Sequence, residues 1–134
     1  MKAIIDIHTF LRMASEPERL PAMAREVCQT AELLLSVASV WEIGIKYETG
    51  RLPLPSPPRE YIALLVKRGG IAILPIHCRH ALVAAARPLI HKDPFGRMIA
   101  AQCLEEKLPC VTRDASIASY GVETIREMAK TAVF

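Results

Sequence analysis

The sequence predicts an α/β protein, a three-layer α/β/α sandwich around a central five-stranded and mainly parallel sheet. Three observations lead there. Short apolar runs at Lys2–Asp6, Glu32–Val37, Ile71–Leu74, Cys110–Thr112 and Val122–Ile125 read as strands buried on both faces. Segments with helical spacing separate most of them, and strands that alternate with helices build a parallel sheet covered on each side. The 134 residues are 51% apolar and 23% charged, which suits one globular core and excludes a disordered chain. A single domain over residues 1–134 is therefore expected.

The elements follow in order. Lys2–Asp6 is a strand that ends on an acid. Ser15-Glu16-Pro17-Glu18 has the composition of a helix start, with Ser15 as cap, Pro17 in the first turn and Glu18 three residues on. Leu20, Met23, Ala24, Val27 and Ala31 then recur at helical spacing. Glu32–Val37 is assigned to a strand because a second start, Ser39-x-x-Glu42, comes directly after it. That helix is predicted to reach Thr49, with Gly50 as its stop. Four prolines within Leu52–Pro58 make a rigid connector. Tyr61, Ile62, Leu65 and Val66 trace a further helix, stopped by Gly69-Gly70. Ile71–Leu74 is the third strand and Arg79–Ala86 a short Ala-rich helix. Asp93-Pro94 opens another, with Phe95, Met98, Ile99 and Cys103 facing inward. Cys110–Thr112 and Val122–Ile125 are the last strands, with a helical turn, Ala115–Ser119, between them.

Several functions lose support at once. The longest apolar run, near Leu33–Trp41, is too short to span a bilayer. The N-terminus meets Asp6 too early to hold a secretory signal, so a cytoplasmic address is expected. Cys28, Cys78, Cys103 and Cys110 are scattered and read as reduced thiols, not as a disulfide framework. His77, Cys78 and His80 lack the second ligand pair that a zinc site needs. No Gly-x-Gly-x-x-Gly or Gly-x4-Gly-Lys-Ser/Thr loop offers an anion cradle, and no Gly-x-Ser-x-Gly elbow presents a nucleophile. A net charge of +3 permits a polyanionic partner without demanding one. Aromatic residues, at 5%, argue against an extended stacking platform for single strands.

What remains is a set of acids. Asp6, Glu42, Asp93 and Asp114 each stand where a strand hands over to a helix, the edge at which open parallel sheets bind ligands. Carboxylates gathered there make a hard-oxygen pocket for a divalent cation. Each acid also has a plain structural role. Asp6, Asp93 and Asp114 have the positions of helix N-caps, and Glu42 completes a capping box with Ser39. His8, His77, His80 and His91 are scattered and read as solvated or hydrogen-bonded.

Taken in order, Ile4-Ile5-Asp6-Ile7-His8, Leu35–Lys46 around Trp41-Glu42-Ile43, Gly50–Pro55, Leu74-Pro75-Ile76, His91–Gln102 around Asp93-Pro94-Phe95, and Leu108–Asp114 resemble the PIN-domain ribonucleases. In particular they are similar to the toxins of VapBC-type toxin–antitoxin pairs. The resemblance spans essentially the whole chain. It implies a PIN-like three-layer fold, Mg²⁺ or Mn²⁺ as cofactor, RNA as substrate, a cognate antitoxin, and frequent homodimerisation. Carried over, Asp6, Glu42 and Asp114 are the catalytic acids and metal ligands. Asp93 is a candidate substitute ligand, with a plain helix cap as the alternative, and Lys46, Arg97 and Arg113 are candidates to hold RNA phosphates, with solvated surface charge as the alternative for each. Phe10, Leu11, Trp41 and Tyr61 are candidates to line an antitoxin groove, with core packing as the alternative.

The chain departs from the pattern at two places. Gly96 stands where the family usually has the second Asp of Asp-Pro-Phe-Asp-Arg, and Ile7 replaces a small hydroxyl residue. Losing one anionic ligand weakens the expected attraction for a cation and also reduces repulsion among the other acids. The leading expectation is thus a metal-dependent endoribonuclease impaired at Gly96. The alternative is an inactive PIN fold that serves as an antitoxin-binding or dimerisation module. A phosphoacceptor domain of similar build would need an acid after the third strand, and Ile71–Ile76 has none.

Overall fold

Alternation along the strands sends successive side chains to opposite faces, and so sorts the apolar residues into two cores. In the computed structural model, which describes residues 1–87 and 93–125, β1 (Lys2–Ile5) directs Ala3 and Ile5 into one core and Ile4 into the other. β2 (Glu32–Ser36) divides likewise, with Leu33 and Leu35 against Leu34. β3 (Ala72–Leu74), β4 (Cys110–Val111) and β5 (Thr124–Ile125) complete a sheet of order β3-β2-β1-β4-β5. Every pairing is parallel, so the sheet is more uniform than the mainly parallel one expected.

The first core receives Ile7 and Phe10 from α1 (Ile7–Ser15), Ala24 from α2 (Ala22–Thr30), Ile43 from α3 (Val37–Glu48), and Ile62 and Leu65 from α4 (Pro58–Gly69). The second receives Ile99, Ala100 and Cys103 from α6 (Pro94–Glu106) and Ile117 from α7 (Ala115–Ala118), together with Tyr120 and Val122. Helix, sheet and helix therefore form the three layers that the sequence predicts. Gly70, at φ 61°, ends α4 in the left-handed conformation that glycine takes without penalty. His91 lies outside the described residues.

Two helix starts differ from expectation. α1 begins at once after Asp6 and runs to Ser15, whose hydroxyl donates back to the Leu11 carbonyl. Ser15 thus closes a helix and caps none. A 3₁₀ turn, Pro17–Arg19, follows, and α2 starts only after Pro21. The second difference is larger. Parallel register with β1 and β3 carries β2 through Ser36, and Ser36, not Ser39, caps α3 by accepting from the Ala38 N–H at 3.0 Å. Both serines have cap chemistry; strand pairing decides which one lies at the strand end. Glu42 is thereby moved out of the first turn and released from capping.

α5 (Cys78–Ala86) packs on α6 through a polar joint. His80 is fully buried. Its Nδ1 accepts from the His77 N–H at 3.0 Å, which leaves Nε2 to donate to Glu106, 2.8 Å away. Arg79 reaches the same Glu106 oxygen, also at 2.8 Å. Glu106 is held below the usual carboxylate range, chiefly by the His80 hydrogen bond and then by that from Arg79. A carboxyl lowered on folding stabilises the fold above its unfolded pKa, and that contribution fades as pH falls through the folded value. Glu106→Gln is expected to flatten part of the pH dependence of thermal melting across the acidic carboxylate range; an unaltered slope refutes this.

Candidate active site

The strand order reverses at β1. The chain passes from β1 through β2 to β3 on one side, then returns to place β4 and β5 on the other. Segments leaving the two strands at such a reversal diverge, which opens a crevice beyond their carboxyl ends. Asp6 leaves β1 there and Thr112-Arg113-Asp114 leaves β4, with Ile5 opposite Val111 in the ladder. A cavity of about 340 Å³ fills the crevice, and Asp6, His8, Glu42, Asp93, Gly96, Arg113 and Asp114 are among its lining residues.

Three of these acids are helix caps as well as cavity walls. Asp6 Oδ1 accepts from the Thr9 N–H that opens α1, at 2.8 Å. Asp93 Oδ1 accepts from the Phe95 N–H of α6 at 3.0 Å. Asp114 Oδ1 accepts from the Ser116 N–H and hydroxyl, at 2.9 and 2.6 Å. The positive ends of α1 and α6 thus face carboxylates that need them. Glu42 arrives differently, from within α3, where Lys46 one turn on holds it at 2.7 Å. Ser39 sits one turn before Glu42, and its buried hydroxyl finds no partner among the described residues.

Asp6 is the most buried acid, only 6% exposed. Its second oxygen accepts from the Thr112 hydroxyl at 2.5 Å. The same Thr112 oxygen accepts from the Asp114 N–H at 2.9 Å. One hydroxyl therefore sets the spacing of two acids that are far apart in sequence. Thr9 adds a second tie across the strands by donating to the Val111 carbonyl at 3.1 Å. Sequence reasoning missed both threonines. A β-branched residue in a strand reads as pleat packing, and the one available signal was the position of Thr112 two residues before Asp114.

The predicted cations divide. Arg113 lies on the cavity wall. Lys46 is committed to Glu42. Arg97 is not among the residues that line the cavity: it donates to the carbonyls of Ala84 and Arg87 at the end of α5, at 2.8 and 2.9 Å. That corrects the expectation of a phosphate-binding Arg97. Phe10 belongs to the core, at 1% exposure, and also lines a cavity of about 250 Å³ with Met13, Leu65 and Ile71. Leu11 and Tyr61 are partly buried against that core, whereas Trp41 is exposed.

The crevice carries a negative field. Cys110 lies on β4, and its thiol is pushed well above its ordinary pKa, first by a hydrogen bond with Cys103, then by burial and the Cys103 charge, and also by Asp6 and Asp114. Cys28 is pushed up to about 11, by burial and then by Asp6. Among the described residues the hydrogen-bond donors to Asp6 are neutral. Among them, too, no three His, Cys, Asp or Glu side chains stand close enough together to hold one metal ion.

A parallel α/β/α sandwich with acids around its switch-point crevice defines a class of acid-lined α/β domains. The chain belongs to the PIN-domain family, which matches residues 3–123. It is similar to Ribonuclease VapC16 of Mycobacterium tuberculosis, 42% identical over 55 residues. That match covers 41% of this chain and only 38% of the relative. The fold is similar to VapBC2 from Rickettsia felis bound to a promoter DNA fragment, with TM-score 0.68, 9% identity, and coverage of 94% of this chain and 98% of that one. It is also similar to FitAcB from Neisseria gonorrhoeae, with TM-score 0.58, 19% identity, and coverage of 95% and 98%.

Thr112→Val removes the donor to a buried carboxylate and leaves the Asp114 N–H without its acceptor. A cost of about 1–3 kcal/mol is expected in denaturant unfolding, with most of it recovered in Thr112→Ser. If valine is as stable as threonine, the hydroxyl does not organise the acids.

Proposed function

We propose that the chain is a divalent-metal-dependent endoribonuclease and the toxin half of a toxin–antitoxin pair. One observation carries the reading: four carboxylates, from β1, α3, the start of α6 and the end of β4, line a single cavity at the switch point of the sheet. Membership of the PIN family supports it, as does the likeness to a relative named as a ribonuclease. In this reading Asp6, Glu42 and Asp114 are the catalytic acids, with Asp93 as a fourth oxygen donor.

The donor set fits Mg²⁺ or Mn²⁺, since all four groups are hard oxygens and the field is negative. With no three acids converging among the described residues, an ion would take one or two carboxylates and keep water elsewhere. That is the habit of Mg²⁺. Bound there, such an ion supplies Lewis acidity at a phosphoryl oxygen and lowers the pKa of a water. The chain's own residues do the rest. Asp6, fixed through Thr9 and Thr112, holds a rigid oxygen at the floor. Glu42, tethered by Lys46, closes the α3 side, and Arg113 offers a guanidinium to the phosphate. Single-stranded or looped RNA is the substrate class, because its bases are accessible.

The antitoxin and a homodimer belong to the same reading, as does a cytoplasmic location. Among the described residues no helix is long and apolar enough to cross a membrane. A second reading, an inactive fold kept for binding, is favoured by Gly96, which leaves the α6 side of the cavity with Asp93 but without the second acid that the family resemblance leads one to expect. RNA cleavage in Mg²⁺ or Mn²⁺ that is lost in both Asp6→Asn and Asp114→Asn supports the enzyme. Cleavage that survives both changes ends that interpretation.

Gly96 itself can be tested. A Cβ there would meet Asp93 Oδ2 at 3.5 Å, an ordinary contact, so Gly96→Asp fits sterically. The added carboxylate stands beside Asp93 and needs a cation. The variant is expected to lose stability without metal, to regain it with Mn²⁺, and to bind Mn²⁺ about tenfold more tightly, equivalent to ~1.4 kcal/mol. Equal affinity and equal cleavage in the two forms would show that Gly96 impairs nothing.

A further inference from the structure

Trp41 is the one tryptophan in the chain, and it is 64% exposed. Single exposed apolar residues usually need no explanation; three features set this one apart. Phe95 meets it nearly perpendicularly, with centroids 5.3 Å apart and planes at 80°. The indole is therefore steadied from the start of α6 while much of its surface stays open. Glu42 and Gly96, the residues that follow the two rings in sequence, both line the acidic cavity, while Trp41 itself lines the wall of a second, open groove. That groove, of about 590 Å³, runs from Trp41 past Gly44, Ile45 and Glu48 to Pro57 and Arg59. At Gly44 nothing lies within 4 Å of where a Cβ would be, so the groove is open at that point.

We propose that Trp41 is a stacking platform for a nucleobase next to the scissile phosphate, with the strand passing from the cavity over the indole toward Arg59. This rests on the ribonuclease reading above and deepens it by assigning a subsite. An indole offers a flat face to any base, and base–aromatic stacking tolerates all sequences. The chain has too few aromatics for an extended platform, but one exposed ring serves one base. The arrangement also selects single strands, because base faces inside a duplex are already stacked. An apolar partner helix is the competing occupant. Two guanidiniums, Arg113 on the cavity wall and Arg59 at the far end of the groove, favour the nucleic acid, and Glu48 on the groove wall opposes it.

The single indole makes the test clean. Metal-free protein is titrated with a short single-stranded oligoribonucleotide, with the same backbone carrying abasic sites, and with an amphipathic helical peptide, while indole emission is followed. Cleavage in Mg²⁺ is measured in parallel for wild type, Trp41→Ala and Trp41→Phe. Expected are saturable quenching by the intact oligonucleotide but not by the abasic one, and a KM raised about 5- to 150-fold in Trp41→Ala with kcat nearly unchanged. Trp41→Phe should recover most of the loss. Cleavage that depends on Asp6 and Asp114, with unchanged emission and unchanged KM in Trp41→Ala, overturns the platform and leaves the nuclease standing. Quenching by the intact oligonucleotide without cleavage by any form supports the platform and removes the nuclease. Emission that responds to the peptide and not to RNA overturns the platform in favour of protein docking.

Discussion

A buried carboxyl group that has to find hydrogen-bond donors inside the protein governs this fold. Asp6 sits where the central strand ends, almost sealed from water, and an ionised group in such a place is costly unless hydrogen bonds replace its hydration. The two donors come from different directions: the Thr9 N–H at the head of α1 and the Thr112 hydroxyl at the end of β4. Satisfying Asp6 therefore fixes the angle at which α1 leaves β1 and the place where β4 stops. Thr112 passes the constraint on, because its oxygen also receives the Asp114 N–H. The geometry of the acidic cavity is thus a consequence of how the hydrogen bonds of one buried carboxyl group are satisfied by the protein.

Capping a helix and lining the cavity are not competing roles. Asp6, Asp93 and Asp114 each give Oδ1 to a helix N-terminus and each border the cavity. A carboxylate has lone pairs on two oxygens, so an acid that satisfies an orphan N–H keeps acceptor capacity for a second partner, as the Thr112 hydroxyl shows at Asp6. That arrangement removes rotamer freedom from the acid before any ligand arrives, the kind of preorganisation that charge-stabilising sites depend on. It also explains why inspection of the sequence left both readings open for these three residues: the cap signature and the site signature are the same letters.

Legibility was uneven for physical reasons. The inner strands, glycine stops and the Asp93-Pro94 start announce themselves because each rests on local chemistry. A mainly parallel sheet and its three layers followed from alternation of strand and helix, whereas β3, read as buried on both faces, is an edge strand and largely exposed. The exact start of α3 did not, because Ser36 and Ser39 are equally good caps and only the pairing of β2 with its neighbours decides between them. Lys46 and Arg97 carry the same charge in sequence, yet one is held by Glu42 and the other by the end of α5. Contacts between distant elements assign those charges, and nothing local encodes them. Thr112 was invisible for a related reason, since its importance lies in a partner more than a hundred residues away.

Gly96 shows what remains when sterics and conformation have been accounted for. Its backbone is not left-handed, and a Cβ would find ordinary clearance, so the fold does not require glycine there. In a helix interior glycine costs up to about 1 kcal/mol relative to alanine, and near the first turn somewhat less. The residue therefore gives up a little stability with no packing return. The nearest atom to the missing side chain is a carboxylate oxygen of Asp93, and the cavity already contains Asp6, Glu42 and Asp114. On the proposed metal-dependent reading, a further carboxylate would raise the charge to be neutralised before the pocket is stable, whereas glycine would relax that demand and weaken the pull on a cation in the same step. On that reading cation affinity and stability of the empty site are opposed, and the two cannot be tuned apart while Asp93 remains beside Gly96.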